Sequence, residues 1–126
     1  MTDFAAAREI IGSGLKAQAA RLRHVSENIA NADTPGYRRK TIPFEASGPN
    51  GLVGIGDLQL DRSPLPRLFD PGHALADEEG YYEGSNVDLL IEITDAREAQ
   101  RSYEANLKMF DQVRQMKQGL LDLIRK

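Results

Sequence analysis

The residues of this chain that could do chemistry are few and scattered. His24 and His73 lie in different segments, and neither has metal-ligand spacing around it. His24 sits among polar neighbours beside Val25 and reads as a solvated helix residue; His73, in DPGHAL, reads as a turn residue. Asp77-Glu78-Glu79 could offer carboxylates to a divalent cation, but consecutive acids more often form a solvated loop, and the spacing is unlike an EF-hand. The glycines of GLVGIGD are not spaced as GxGxxG and no Lys-Ser/Thr comes after them, so that stretch reads as a turn. Ser63 and Ser102 lack a nucleophile-elbow context. A hydrolase using a carboxylate such as Asp77 or Glu83 would need a closed pocket. Arg38-Arg39-Lys40 is the one charge run whose sign suits nucleic acid or anionic lipid. On a net-acidic chain it reads equally well as a contact for acidic neighbours, for example the acidic middle of another copy. The sequence therefore points to no catalytic residue, no metal, no cofactor and no small-molecule substrate.

Composition narrows the function class further. The chain has 126 residues, 40% hydrophobic and 28% charged, with four Tyr, four Phe and no Trp. That permits folding but supplies little for a large self-contained core. A net charge of −3 gives the whole molecule no electrostatic reason to seek nucleic acid. The charge is unevenly spread. Residues 1–40 hold seven basic and four acidic side chains, residues 41–86 two and eight, and residues 87–126 seven of each. The absence of cysteine rules out disulfides and thiolate metal sites. No apolar run approaches the roughly 20 residues needed to cross a bilayer. Arg8, Glu9 and Lys16 interrupt the N-terminal stretch, so no cleavable leader is expected there.

The helix breakers delimit the elements that would position these residues. All six prolines fall between Pro35 and Pro71, and eight of the eleven glycines between Gly36 and Gly84. The pattern is helix, irregular middle, helix. On the first flank Phe4, Ile11, Val25 and Ala32 occupy one heptad column and Leu15, Leu22 and Ile29 another, interrupted by Gln18 and Arg8. This predicts a helix over about residues 2–31, closed by Pro35 and Gly36. The second helix is expected from about residue 86, capped by Ser85 with Asp88 or by Asn86. Its stripe runs through Ile93, Ala96, Tyr103, Phe110, Val113, Leu120 and Ile124, widened by Leu107, Met116 and Leu123. Arg125 and Lys126 suit its negative C-terminal end.

The middle is β-prone. Ile42 and Phe44 alternate with polar neighbours, as do Leu58 and Leu60, and Gly48-Pro49-Asn50-Gly51 supplies a turn between them. Pro64, Pro66 and Pro71 restrict the next segment to edge strand, polyproline or loop geometry. One small hairpin is expected. A two-helix pair hides only one seam, so the wide stripe on the second helix would stay exposed unless the middle folded over it. Contiguous exposed apolar surface marks a partner interface.

Two stretches carry a recognisable pattern. SENIANADTPGYRRK (26–40) resembles the N-terminal motif of the flagellar rod, hook and hook-associated family, in which an Asn-Ile/Leu-Ala-Asn segment ends the first helix and leads into Thr-Pro-Gly-Tyr. Asn28 and Asn31 can bond backbone where the helix stops, Pro35-Gly36 turns the chain, and Tyr37 supplies an aromatic anchor. NVDLLIEITDAREAQRSYEANLKMF (86–110) is similar to the family's C-terminal motif, with Arg101, Tyr103, Ala105 and Asn106 matching its inner pattern. DPGHALADEEGYYEGSNVD, together with the chain's shortness, is most similar to the short proximal-rod members.

The expected fold is mainly α: two long terminal helices in a coiled-coil-like pair, bridged by a small β-hairpin or extended middle. Residues 1–33 and 86–126 form the assembly unit and residues 34–85 the bridge. The resemblance implies a structural subunit of the flagellar basal body, exported through the type III apparatus without a cleaved signal and assembled in the periplasmic rod. Its partners would be copies of itself and other rod proteins, with no nucleic acid and no substrate. Leu15, Leu22, Ile29, Tyr103, Leu107, Phe110, Val113 and Leu120 are expected at assembly interfaces. Asn28, Asn31, Pro35, Gly36, Tyr37, Arg101 and Asn106 are the motif positions. The competing reading is a cytoplasmic helical adaptor or chaperone.

Overall fold

The computed structural model describes residues 2–125. Helix α1 spans Thr2–Ala30 and helix α2 spans Leu89–Arg125, and they pack against each other along most of their length. Asn28 of α1 meets Glu92 of α2, and Gly14 meets Asn106, so the helices are antiparallel. Two helices at opposite chain ends, separated by the Pro- and Gly-rich middle, agree with the mainly α expectation.

The seam differs from the predicted columns. Ile11 and Val25 are buried as expected, but their companions on α1 are Ala17, Ala20 and Asn28, and on α2 Glu92 and Ala99. Leu15 and Leu22 are only half-buried and Ile29 is 38% exposed. Ala32 lies beyond the helix end, in the turn. The cause is size. Gly14, Ala17, Ala20 and Ala99 let the backbones approach closely, and a Cβ at Gly14 would come within 3.0 Å of the Asn106 amide nitrogen. Small side chains bury little area, and full burial of a large one such as Ile11 contributes only about 1.5–3 kcal/mol. Cohesion between the two helices is accordingly modest.

Helix α2 starts later than the sequence suggests. Asp88 caps it: its carboxylate accepts the Leu90 N–H at 3.0 Å and its carbonyl accepts the Glu92 N–H at 3.0 Å. Ser85 and Asn86, the predicted caps, are engaged instead by the loop after α1. Arg125 ends the helix, while Lys126 lies outside the described residues.

The middle forms two hairpins rather than one. In the first, β1 (Lys40–Thr41) pairs with β4 (Gln59–Leu60) and β2 (Phe44–Ala46) with β3 (Val53–Ile55), both antiparallel. Pro43, which has no N–H to donate, interrupts the ladder between the two tiers. In the second, β5 (Arg67–Phe69) pairs with β6 (Tyr81–Glu83). The prolines at 64, 66 and 71 flank β5, so the edge-strand option is the one realised. The first hairpin lies along α1. The Ser13 hydroxyl accepts the Val53 N–H at 3.0 Å near the hairpin tip, and Asn28 holds its base at Lys40. The middle therefore folds back over α1.

Candidate functional site

The motif residues at the three chain junctions converge on one polar cluster. Asn28, in the last turn of α1, is fully buried. Its carbonyl oxygen accepts the Tyr37 hydroxyl at 2.8 Å and the Lys40 N–H at 2.9 Å. Its amide nitrogen donates to the Lys40 carbonyl at 2.9 Å and to Glu92 Oε2 at 3.2 Å. Glu92 is also fully buried, and its other oxygen accepts from Arg39 Nε. The far nitrogen of Arg39 reaches Asp95 at 2.8 Å, one turn along α2. A buried carboxylate needs such pairing, because desolvation alone would be very costly.

The turn itself matches its chemistry. The Asn31 amide donates to the Glu27 carbonyl at 2.8 Å, and the Thr34 hydroxyl donates to Asn31 at 3.1 Å. Gly36 has φ +73°, which an L side chain rarely adopts, and its N–H reaches the Glu83 and Gly84 carbonyls at 3.2 and 3.3 Å. The Ser85 hydroxyl donates to the Ala32 carbonyl. Asn86 accepts the Arg39 N–H at 2.7 Å and donates to the Asp61 carbonyl at 2.9 Å. Thus Ser85 and Asn86 join the loop before α2 to the loop after α1, and cap neither helix.

The basic triplet is satisfied within the chain, which corrects the expectation of an acidic partner on another copy. Arg38 donates to the Asp61 and Ser63 carbonyls at 3.1 and 3.0 Å, Arg39 pairs with Glu92 and Asp95, and Lys40 Nζ pairs with Glu27 at 2.9 Å. The hydrogen bond and charge of Lys40 hold the Glu27 carboxyl below its ordinary range, and Glu27 raises Lys40 in return. Burial pushes Tyr37 up. His24 is not solvated as expected: its side chain is 19% exposed, and its Nδ1 is buried without a hydrogen-bond partner, 4.0 Å from Glu27. It lines a shallow cavity together with Lys40, Thr41 and Ile42 of the first hairpin.

The remaining candidates for chemistry are structural. His73 stands in its turn and stacks on Tyr82 with ring centroids 3.9 Å apart. Asp77 Oδ1 accepts the Glu79 and Tyr81 N–H groups at 2.9 Å each, and Oδ2 takes Arg67 at 3.1 Å. Its backbone hydrogen bonds, that from Tyr81 first, hold this carboxyl below its ordinary range. A carboxylate so committed organises a loop and is a poor general base. Glu83 is exposed. Among the described residues no group of three or more His, Asp and Glu could hold a metal ion, and no helix is long and apolar enough to cross a membrane.

The predicted interface residues divide into two sets. Tyr103, Phe110 and Val113 are half-buried in the intrachain seam, with Leu15 and Leu22 on the facing helix. Leu107 and Leu120 stay 43% and 40% exposed, as do Met116 and Leu123 to a greater extent. The hairpin that folds back lies on α1 and leaves these positions of α2 open. Asn106 contributes to the seam against Gly14, while Arg101 is exposed and lies about 14 Å along α2 from Glu92. Both are therefore distant from the turn cluster. Glu92 and Asp95 were not singled out from the sequence, and Arg39 only as a member of the basic triplet. The available signal was a lone acid, Glu92, seven residues before Ala99 on the packing column.

Two family models match the chain. One, described as flagella basal body rod protein, covers residues 9–38, and the other, described as flagellar basal body rod FlgEFG protein C-terminal, covers residues 78–123. The chain is 45% identical to flagellar basal-body rod protein FlgC of Agrobacterium fabrum, across 99% of this chain and 98% of that protein. It is 34% identical to FlgC of Escherichia coli, across 86% and 88%, and 32% identical to FlgC of Borreliella burgdorferi, across 91% and 93%. The two matched segments contain most of both helices and, of the turn cluster, Asn28, Tyr37, Glu92 and Asp95, while Arg39 and Lys40 lie just past the end of the first.

Proposed function

Since the chain belongs to the FlgC family of flagellar basal-body rod proteins, we propose that its helix pair is the unit through which it is built into the proximal rod. The chain is a structural subunit of the flagellar basal body that assembles with other rod components. In the proposed arrangement α1 and α2 line the inner tube around the export channel, and the two hairpins lie further out. Neighbours are copies of itself and related rod proteins, joined by heterologous contacts that generate an open helix when the rotation does not close. The subunit reaches the periplasm through the type III export apparatus without a cleaved signal. Its role is mechanical, and it catalyses no reaction.

One observation carries this reading. The intrachain seam leaves apolar side chains of α2 exposed on both its flanks, Leu107 on one and Met116, Leu120 and Leu123 on the other, and the hairpin covers neither. Apolar flanks of this kind are suited to neighbouring helix pairs. Replacing Leu107 and Leu120 together by Asp tests it. The expected result is a protein that leaves the cytoplasm but is missing from purified basal bodies, in cells without hooks. Basal bodies containing the variant at normal levels would remove the assembly role of these two flanks. Retention in the cytoplasm would assign the helix to export instead.

A further inference from the structure

The seam between α1 and α2 sets charge against apolar packing. Asn28 faces Glu92 and Gly14 faces Asn106, fourteen residues apart on each helix. On α2, Glu92, Ala99, Asn106, Val113 and Leu120 recur at intervals of seven. Sliding α2 by one heptad, about 10.5 Å, would bring Ala99 to Asn28, Val113 to Gly14 and Leu120 deeper into the seam. That arrangement would bury aliphatic side chains where the observed one buries a carboxylate and leaves Leu120 40% exposed. Hydrophobic burial alone favours the slid register.

We propose that Glu92, held between Arg39 and Asn28, is the positioning residue that sets the helix register and excludes the apolar register one heptad away. The loop after α1 fixes where the Arg39 guanidinium lies, since Asn28 binds the adjoining Lys40 backbone and Asn86 accepts the Arg39 N–H. In the observed register two acids of the first turns of α2 meet that guanidinium, Glu92 at Nε and Asp95 at its far nitrogen. In the slid register Arg39 would face Ala99 and Ser102, and the Asn28 amide would face a methyl group. A buried ion pair adds little net stability, because desolvation offsets the attraction. A polar pairing within a helix seam nevertheless discriminates strongly between registers, and Arg21 of α1 acts in the same sense, reaching Asp95 at 3.5 Å and Glu98 at 3.4 Å in the observed register. The contacts of Ser85 and Asn86 join loop to loop and would also break in a slide, but Glu92 lies on the seam itself.

The register fixes how far α2 continues past the start of α1, through Leu120, Leu123 and Ile124. The consequence for rod building rests on the assembly role proposed for α2, whereas the register can be read in the free full-length chain, so the two fail separately. The chain has no cysteine, so nitroxide labels can be placed on cysteine pairs at the exposed positions Lys16 with Glu104 and Lys16 with Asp111, and the distances read by pulsed electron paramagnetic resonance. The expected result is a shorter Lys16–Glu104 distance in the parent chain and in Glu92→Gln, which keeps the shape and an oxygen that accepts from Arg39 or from Asn28, though not from both. In Glu92→Leu the order reverses, with Lys16–Asp111 the shorter. The native order persisting in Glu92→Leu, or broad and equal distributions in the parent chain, would overturn the proposal. Should circular dichroism show Glu92→Leu to have lost its helix, Arg39→Gln is read in the same way, and the native order persisting there overturns it.

Discussion

The Asn28 side chain binds the backbone of Lys40 at both its N–H and its carbonyl, each at 2.9 Å. An amide side chain presents the same donor and acceptor as a peptide group, so Asn28 acts as a one-residue strand beside β1. The same amide takes the Tyr37 hydroxyl and donates to Glu92. One buried side chain thus ties the end of α1, the turn, the first hairpin and the start of α2 together.

Replacing Asn28 by Ala strands two backbone groups and two side-chain partners at once. Each buried group left unsatisfied costs about 1–3 kcal/mol, and water can reach part of the cluster, so a loss of about 2–4 kcal/mol is expected. Asn28→Asp should be at least as damaging above the carboxylate range, because it loses the donor and sets a second carboxylate beside Glu92. Urea denaturation monitored by circular dichroism checks both. A loss under about 1 kcal/mol for Asn28→Ala would show that the network rehydrates freely.

Three glycines should respond differently to substitution. Gly36 has φ +73° and open space around its missing Cβ, so Gly36→Val should cost about 1–3 kcal/mol through backbone strain alone. Gly12 is helical with nothing within 4 Å, and Gly12→Ala should stabilise α1 by up to about 1 kcal/mol. At Gly14 the same change meets the Asn106 amide at 3.0 Å and should give no such gain. Thermal melts of the three variants test the ranking, and normal motility with Gly36→Val would show that the turn is not the constraint.

The direction of the pKa shifts sets the pH dependence. Lys40 lowers Glu27 below its ordinary 4.5, and the hydrogen bond from the Ser63 backbone lowers Asp61 below 3.8, as the Tyr81 backbone does for Asp77. Groups lowered in the folded state add stability above their unfolded values and lose it as pH falls through the folded ones. Lys40 and Tyr37, both raised, add stability below 10.5 and 10.0 respectively and lose it as pH rises further. Thermal stability should therefore fall below about pH 4.5 and again above about pH 10. Glu27→Gln should flatten the acid limb and also weaken the alkaline one, since it removes the partner of Lys40.

The sequence made the helices and the turn legible because each is written locally. Heptad spacing marked both helices, and Pro35-Gly36 marked the break. The details that failed depend on three-dimensional competition. Ser85 and Asn86 look like caps until the Ala32 carbonyl and the Arg39 N–H are found beside them. The second hairpin was hidden because β5 and β6 are separated by the long DPGHALADEEG connection, whose order comes from Asp77 and the His73–Tyr82 stack. Size also misled the reading of the seam: Leu15 and Leu22 drew attention, whereas Gly14, Ala17 and Ala20 decide how closely the helices approach. Glu92 reads as a surface acid from its neighbours and is recognisable only once Arg39 stands next to it.

Charges placed on the two sides of α2 should separate folding from assembly. Phe110 is half-buried against α1, whereas Leu123 is 67% exposed. Phe110→Asp removes part of a burial worth about 1.5–3 kcal/mol when complete, and it brings a carboxylate into the seam with no partner to meet it. The free chain should lose stability and helix content. Leu123→Asp alters a surface position, where substitutions usually stay within about 0.5 kcal/mol, so its free chain should melt like the parent. In cells the order of severity should change. If α2 meets a neighbouring subunit through this end, Leu123→Asp repeats one buried charge at every contact along the rod, and its level in purified basal bodies should drop well below that of the parent. Melting curves on the free chains and quantitation of basal bodies, made on the same two variants, decide the matter. Normal incorporation of Leu123→Asp would confine the interface to Leu107 and Leu120, and a destabilised free chain would show that the end of α2 already has a partner within its own molecule.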